Sequence, residues 1–149
     1  LNSLKLNLYK KFSIYSKTDI AILSAAVADF KPKQVATQKI KKKENTLSIE
    51  LDSTKDILAS LGALKKHQFL VGFALETNNE LENAKGKLKA KNLNLIVLNS
   101  LNDKGAGFKT ETNKVTFIDD KENVHEFQLK SKADVAADLM NEIIKQINA

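Results

Sequence analysis

Phe69-Leu70-Val71-Gly72-Phe73 is an unbroken apolar run, and its reading decides the fold. A strand wetted on one face alternates apolar and polar residues. A run without alternation fits a strand covered on both faces, as in parallel sheets flanked by helices. Upstream, Ile20 to Leu23 is a second short buried strand; downstream, Leu93 to Leu98 is a third. Between them the apolar spacing becomes helical. Ile57, Leu58, Leu61 and Leu64 form one stripe, with Ser53 as its predicted cap, and Leu81, Ala84 and Leu88 form another. Leu1, Leu4, Leu8 and Phe12 open the chain at helical spacing. Leu47, Ile49 and Leu51 alternate with Ser48 and Glu50, which predicts a half-exposed strand. Two further alternating strands, around Val115 to Ile118 and Val124 to Leu129, flank the turn residues Asp119 to Asn123. Ser131 and Asp134 resemble a capping box ahead of a last helix carrying Val135, Leu139, Ile143 and Ile147. The alternation predicts one α/β domain over residues 1–149: three layers, a Rossmann-like and mainly parallel sheet, and a carboxy-terminal antiparallel hairpin extension.

Composition narrows the function classes. At 149 residues, with 42% apolar and 28% charged residues, the chain can bury a full core and is not of disordered type. No apolar run approaches the ~18 residues of a membrane span, and no signal peptide is visible. Cysteine is absent, which excludes disulfides and thiolate metal sites; the whole fits a cytoplasmic protein without a membrane partner. The net charge of +6 suggests an anionic ligand. All of the basic residues are lysine, however, and aromatics make up only 6%. Nucleic-acid readers rely on arginine forks and aromatic platforms, so nucleic acid is disfavoured as a partner.

The candidate site follows the first strand. Ser24-Ala25-Ala26-Val27-Ala28-Asp29-Phe30 is poor in bulk, which lets backbone approach a ligand, and Asp29 can accept hydrogen bonds from a base or ribose. Ten residues after Asp29, Lys39-Ile40-Lys41-Lys42-Lys43 offers compact positive charge suited to phosphate oxygens. In open α/β sheets ligands gather beyond the carboxyl ends of the strands. That rule brings the small-residue segment together with residues 53–58, 72–77 and those from Asn99 onward. Lys87 and Lys91 lie one helical turn apart and share a face. The pairing of a small-residue turn with lysines looks like a nucleotide site without a P-loop.

Plainer readings exist for each residue. Asp29 can cap a turn, Lys39 to Lys43 can be a solvated run, Lys87 and Lys91 can be exposed helix lysines, and Phe73 can be core. His67 and His125 lack metal-ligand companions, and Asp119 with Asp120 belongs to a turn rather than to an acid/base pair.

In order along the chain, Ala25-Ala26-Val27-Ala28-Asp29-Phe30, Lys39-Ile40-Lys41-Lys42, Asp56-Ile57-Leu58 and Val71-Gly72-Phe73-Ala74-Leu75-Glu76-Thr77 resemble phosphopantothenoylcysteine synthetase. Ala84 to Lys91, Asn92 to Val97 and Gly107-Phe108 continue the match. The resemblance implies a ligase of coenzyme A biosynthesis. In it the carboxylate of 4'-phosphopantothenate attacks CTP to give an acyl-cytidylate, and cysteine then displaces CMP. It implies CTP as substrate with Mg²⁺, and FMN only on the decarboxylase half to which such ligases are often fused. Nucleotide contacts are implied at Ala25, Asp29, Lys39, Lys55, Asp56, Ile57, Leu58, Phe73, Lys87 and Lys91. Lys39 is implied in forming the acyl-cytidylate and Ala26 in using it.

Two departures stand out. Thr54-Lys55-Asp56 replaces a common Asn-Pro-Asp, which puts the rigidity of that loop in question, and Leu75 replaces a common alanine. The family's Gly/Ser-rich opening segment, with its Arg and Asn, is not matched, so the chain is expected to be the carboxy-terminal part of the ligase domain. A homodimer is implied too, and the hairpin residues Val115, Phe117, Phe127 and Leu129 are its expected contact. Residues 40–46 are expected to form a lid over nucleotide. The rival class is a non-catalytic nucleotide-binding or regulatory subunit. A dinucleotide oxidoreductase is disfavoured, because no Gly-x-Gly-x-x-Gly occurs among five glycines.

Overall fold

The computed structural model describes residues 14–40, 46–100 and 111–149. Its centre is a five-stranded sheet in the order β1 (Ile20–Leu23), β4 (Phe69–Glu76), β5 (Leu95–Ser100), β7 (Val115–Asp119), β8 (Val124–Glu126). β1, β4 and β5 are parallel, and β7 and β8 extend the sheet antiparallel. β2 (Phe30–Pro32) and β3 (Leu51–Ser53) form a separate antiparallel ribbon, as do β6 (Thr112–Asn113) and β9 (Lys130–Ser131). The helices are α1 (Ile57–Leu64), α2 (Glu80–Ala90) and α3 (Lys132–Ile147).

The period-2 geometry of strands sorts the unbroken apolar runs onto two faces. Leu70 and Ala74 of β4 and Ile96 and Leu98 of β5 pack with Leu61 of α1 and with Ala84 and Leu88 of α2. Phe69, Val71, Leu95 and Val97 point the other way, onto Val135, Leu139 and Ile143 of α3. The three layers are therefore α1 with α2, the sheet, and α3. Leu70, Val71, Ile96 and Val97 are essentially inaccessible, each worth about 1.5–3 kcal/mol relative to exposure.

Helix ends follow local chemistry. Ser131 caps α3, its hydroxyl accepting from the Asp134 amide at 3.1 Å and donating to the Asp134 carboxylate at 2.7 Å. Asp119 organises the β7–β8 turn, accepting from the Lys121 and Asn123 amides at 3.0 and 2.8 Å. Glu122, at φ 64°, closes that turn and pairs with Lys85 and Lys89 of α2. At the opposite end of the sheet from the strand carboxyl ends, the Asn94 side chain accepts from the Leu70 amide at 3.0 Å and from Lys65 at 3.1 Å.

Several expectations are corrected. Ser53 ends β3 rather than capping α1, and the cap is Asp56. The alternation Leu47–Leu51 yields a strand only from Leu51. Its partner strand ends at Pro32, and one further bond, from the Lys33 amide to the Glu50 carbonyl at 3.0 Å, closes the ribbon. Leu47, Ile49 and Leu51 are exposed, with no sheet beneath them among the described residues. Residues 30–32 of the polar, lysine-rich stretch after the small-residue turn form a strand. The second strand of the hairpin stops at Glu126, and Lys130–Ser131 turns away to pair with Thr112–Asn113. Val115 and Phe117, offered above as a dimer contact, are covered by α3, and Phe127 packs against Phe117 at a tilt of 53° with ring centroids 4.5 Å apart. The opening helix around Leu1 to Phe12, the lysines 41–43 and the Gly105–Phe108 stretch lie outside the described residues.

Candidate active site

One cavity of about 680 Å³ opens beyond the carboxyl end of β1 and runs along that strand. Its lining draws on five chain segments: residues 14–18, β1 with the turn after it, residues 54–61 at the start of α1, Phe73 and Leu75 of β4, and Lys91 just after α2. Ala25, Ala26, Asp29, Lys55, Asp56, Ile57, Leu58, Phe73 and Lys91, all singled out from sequence, meet there. Lys39 does not line it; that residue is exposed on the connection between β2 and β3. Lys87 does not line it either, its ammonium lying 2.5 Å from the Glu76 carboxylate at the end of β4. The shared face of Lys87 and Lys91 therefore splits between two carboxylates.

Two glycines let α1 come close to its neighbours. A Cβ on Gly72 would stand 2.7 Å from the Leu58 side chain, so β4 passes directly beneath α1. A Cβ on Gly62 would stand 1.8 Å from the carbonyl oxygen of Lys91. Asn92, at φ 51°, donates its side-chain amide to the Gly62 carbonyl at 3.0 Å. This backbone contact fixes the base of the Lys91 side chain. The tip reaches Asp56, 2.9 Å away.

Asp56 does two jobs. One carboxylate oxygen accepts from the Ala59 amide at 2.9 Å and caps α1, and the other meets Lys91. Burial alone would raise its pKa. The Ala59 amide, the hydrogen bond and charge of Lys91, and the Leu58 amide together outweigh that and hold the carboxyl below its ordinary value. The sign follows: a depressed folded pKa adds stability that is fully present above the unfolded value and fades as pH falls through the folded one. Asp56→Asn keeps a capping acceptor but loses the charge. It is expected to flatten the acid limb of a Tm-versus-pH profile below about pH 4, while Asp56→Ala costs about 1 kcal/mol at neutral pH as well. An acid limb unchanged in Asp56→Asn contradicts this assignment.

Sequence reasoning noted Thr54 only as a departure from Asn-Pro-Asp, and it missed Tyr15 and Gly62. Thr54 ties the two loops together, its hydroxyl donating to the Ala28 carbonyl at 2.6 Å and its amide to the Asp29 carbonyl at 2.8 Å. These bonds answer the question raised by the absent proline, because the loop is braced by a side chain instead. Tyr15 lines the cavity with a buried hydroxyl that finds no hydrogen-bond partner, and burial pushes its pKa up. Gly62 lies behind the cavity lining, against the Lys91 carbonyl. No periodicity or motif marks Tyr15 or Gly62, and nothing in the sequence marks the brace that Thr54 makes, since each acts through a contact distant in sequence.

Among the described residues, no group of three His, Cys, Asp or Glu is placed to hold a metal ion, and no helix is long and apolar enough to cross a membrane.

The DNA/pantothenate metabolism flavoprotein C-terminal domain family matches residues 7–147. The coenzyme A biosynthesis bifunctional protein CoaBC of Bacillus subtilis is 47% identical over 131 residues, 88% of this chain and 32% of that protein. A cysteine/cysteine sulfinic acid decarboxylase from an unknown prokaryotic organism is 52% identical over 135 residues, 90% of this chain and 38% of that protein. The chain thus spans between about a third and two fifths of the length of these relatives. A crystal structure of the C-terminal domain of CoaBC superposes with a TM-score of 0.74 at 38% identity, covering 95% of this chain and 63% of that one. With its layers, its site motifs and these relatives in agreement, the chain belongs to the DNA/pantothenate metabolism flavoprotein C-terminal domain family, the phosphopantothenoylcysteine synthetase part of CoaBC proteins.

Proposed function

We propose that the chain forms the nucleotide-binding part of a phosphopantothenate–cysteine ligase that uses CTP in coenzyme A biosynthesis. The observation that carries this reading is the convergence of Ala25, Ala26, Asp29, Phe73, Lys91 and the amino-terminus of α1 on one cavity. Ala25 and Ala26 let the ligand approach the backbone, and Asp29 accepts hydrogen bonds from the cytidine. The amino-terminus of α1, whose Leu58 and Ala59 amides are capped by Asp56, presents the positive end of the helix to phosphate. Lys91 exchanges Asp56 for a phosphate oxygen, and Lys39 approaches from the β2–β3 connection. Lys87 must leave Glu76 to take part.

The first half-reaction forms a bond between a carboxylate oxygen of 4'-phosphopantothenate and the α-phosphorus of CTP and breaks the bond to pyrophosphate. In the second, the cysteine amine attacks the acyl carbon, CMP departs with the electron pair of the C–O bond, and the amine loses a proton. The protein's part is charge neutralisation and in-line positioning. Mg²⁺ carried on the nucleotide phosphates would neutralise charge there. The homodimer implied by the resemblance belongs to the same proposal, with a contact made elsewhere than at Val115 and Phe117.

Calorimetry with CTP and ATP in the presence of Mg²⁺ tests the reading. CTP is expected to bind more tightly. Equal affinity overturns the cytidine preference, and CTP binding without acyl-cytidylate formation by the intact ligase favours a regulatory subunit instead.

A further inference from the structure

The floor of the cavity is assembled from two loops held together at one residue. β2 and β3 leave that floor as a ribbon whose first rung pairs Phe30 with Ser53. Asp29 and Thr54 are the next positions inward. There the Thr54 amide donates to the Asp29 carbonyl at 2.8 Å, and the Thr54 hydroxyl donates to the Ala28 carbonyl at 2.6 Å. Two residues later Asp56 begins α1. Lys55 stands between them, so the approach to the helix has an ordinary rotatable backbone, and nothing in its covalent structure holds it to the turn after β1.

We propose that Thr54 is the positioning residue of this site: its hydroxyl sets the turn bearing Ala25, Ala26 and Asp29 at a fixed separation from the amino-terminus of α1. The geometry gives the reason. Asp29 and the α1 amides must meet opposite ends of one nucleotide, yet they belong to segments joined covalently only through the long β2–β3 excursion. The ribbon itself lends little rigidity. Phe30, Leu51 and the residues around them are exposed, and a two-stranded ribbon alone is marginally stable. The bonds at its root therefore decide how far apart its two ends stand. They also set the direction in which the ribbon carries Lys39. The inference rests on the nucleotide reading given above and adds to it a residue of the cavity lining whose hydroxyl is spent on the Ala28 carbonyl.

Thr54→Val keeps the shape and removes the hydroxyl, whereas Thr54→Ser keeps the hydroxyl. Loss of one such bond corresponds to about a three- to tenfold weakening of CTP binding in Thr54→Val, with Thr54→Ser close to the parent. A merely structural role would shift Tm and leave binding by the folded protein unchanged. The decisive readout is a double-mutant cycle: if Thr54 acts by placing Asp29, its substitution adds little once Asp29→Asn has been made. Hydrogen exchange without ligand gives a second measurement. Amides of residues 25–29 are expected to exchange faster in Thr54→Val and not in Thr54→Ser, while β5 is unaffected.

CTP binding and exchange that are unchanged in Thr54→Val, or full additivity with Asp29→Asn, overturn the inference and leave the ligase reading standing. Failure of the parent protein to bind CTP overturns the ligase reading instead. Exchange at residues 25–29 then decides alone whether Thr54 holds the turn: acceleration confined to Thr54→Val supports the inference, and its absence overturns it.

Discussion

Lys39→Gln in the intact ligase is expected to lower acyl-cytidylate formation by about 10²–10³-fold while leaving the fold unchanged. The fold should not notice, because Lys39 is exposed and outside the cavity lining. The chemistry should notice, because pyrophosphate leaves with more negative charge than it carried in the ground state. A cation meeting that charge stabilises the transition state selectively. Glutamine preserves length and hydrogen-bonding capacity but not charge. Quenched-flow measurement of intermediate and pyrophosphate reads the step directly, with Tm as the control for folding. A normal yield of intermediate in the variant returns Lys39 to Lys43 to a solvated charge run.

Gly62→Ala is expected to destabilise the domain by about 1–3 kcal/mol, the usual cost of forcing an atom into filled space. At this chain length that corresponds to a fall in Tm of about 2–4 °C per kcal/mol. The Cβ would lie 1.8 Å from the Lys91 carbonyl oxygen, a backbone atom at the end of α2 that cannot rotate aside. Relief requires moving α1 away from α2, which also pulls Asp56 from Lys91. Gly86 is the internal control. It lies in α2 with nothing within 4 Å of an added Cβ, so Gly86→Ala is expected to stabilise by about 0.5–1 kcal/mol through helix propensity. Thermal denaturation of the two variants side by side tests both signs. Equal or better stability in Gly62→Ala shows that the α1–α2 contact yields without cost.

The two glycines illustrate how much was legible before the fold was known. Both fall within helical patterns, and neither has a neighbour in sequence that distinguishes it. Only the approach of α1 to α2 makes one indispensable and the other expendable. The same holds for the lysines. Helical spacing set Lys87 and Lys91 one turn apart, but Lys87 meets Glu76 and Lys91, just past the helix end, meets Asp56, residues 11 and 35 positions away. Asp56 was read from sequence as part of a nucleotide motif, and its role as helix cap went to Ser53 instead. Both residues are competent caps, and only the path of the chain out of β3 chooses between them.

The sequence by itself determined the layers of this protein. The apolar run from Phe69, its counterparts before and after, and the stripes of α1, α2 and α3 can bury their surface in one way, with helices on both faces of a mainly parallel sheet. Hydrophobic burial depends on periodicity, and periodicity is written locally. The motifs around Ala25, Asp29, Asp56 and Phe73 likewise carried the family, because a strand end followed by small residues is a local signal. Tertiary structure alone decided the rest: the bond from Thr54 to Ala28, the passage of Gly62 over Lys91, the buried hydroxyl of Tyr15, and the covering of Val115 and Phe117 by α3. Each is a distance between residues far apart in the chain. Such distances are set by how whole layers stack, not by the residues on either side.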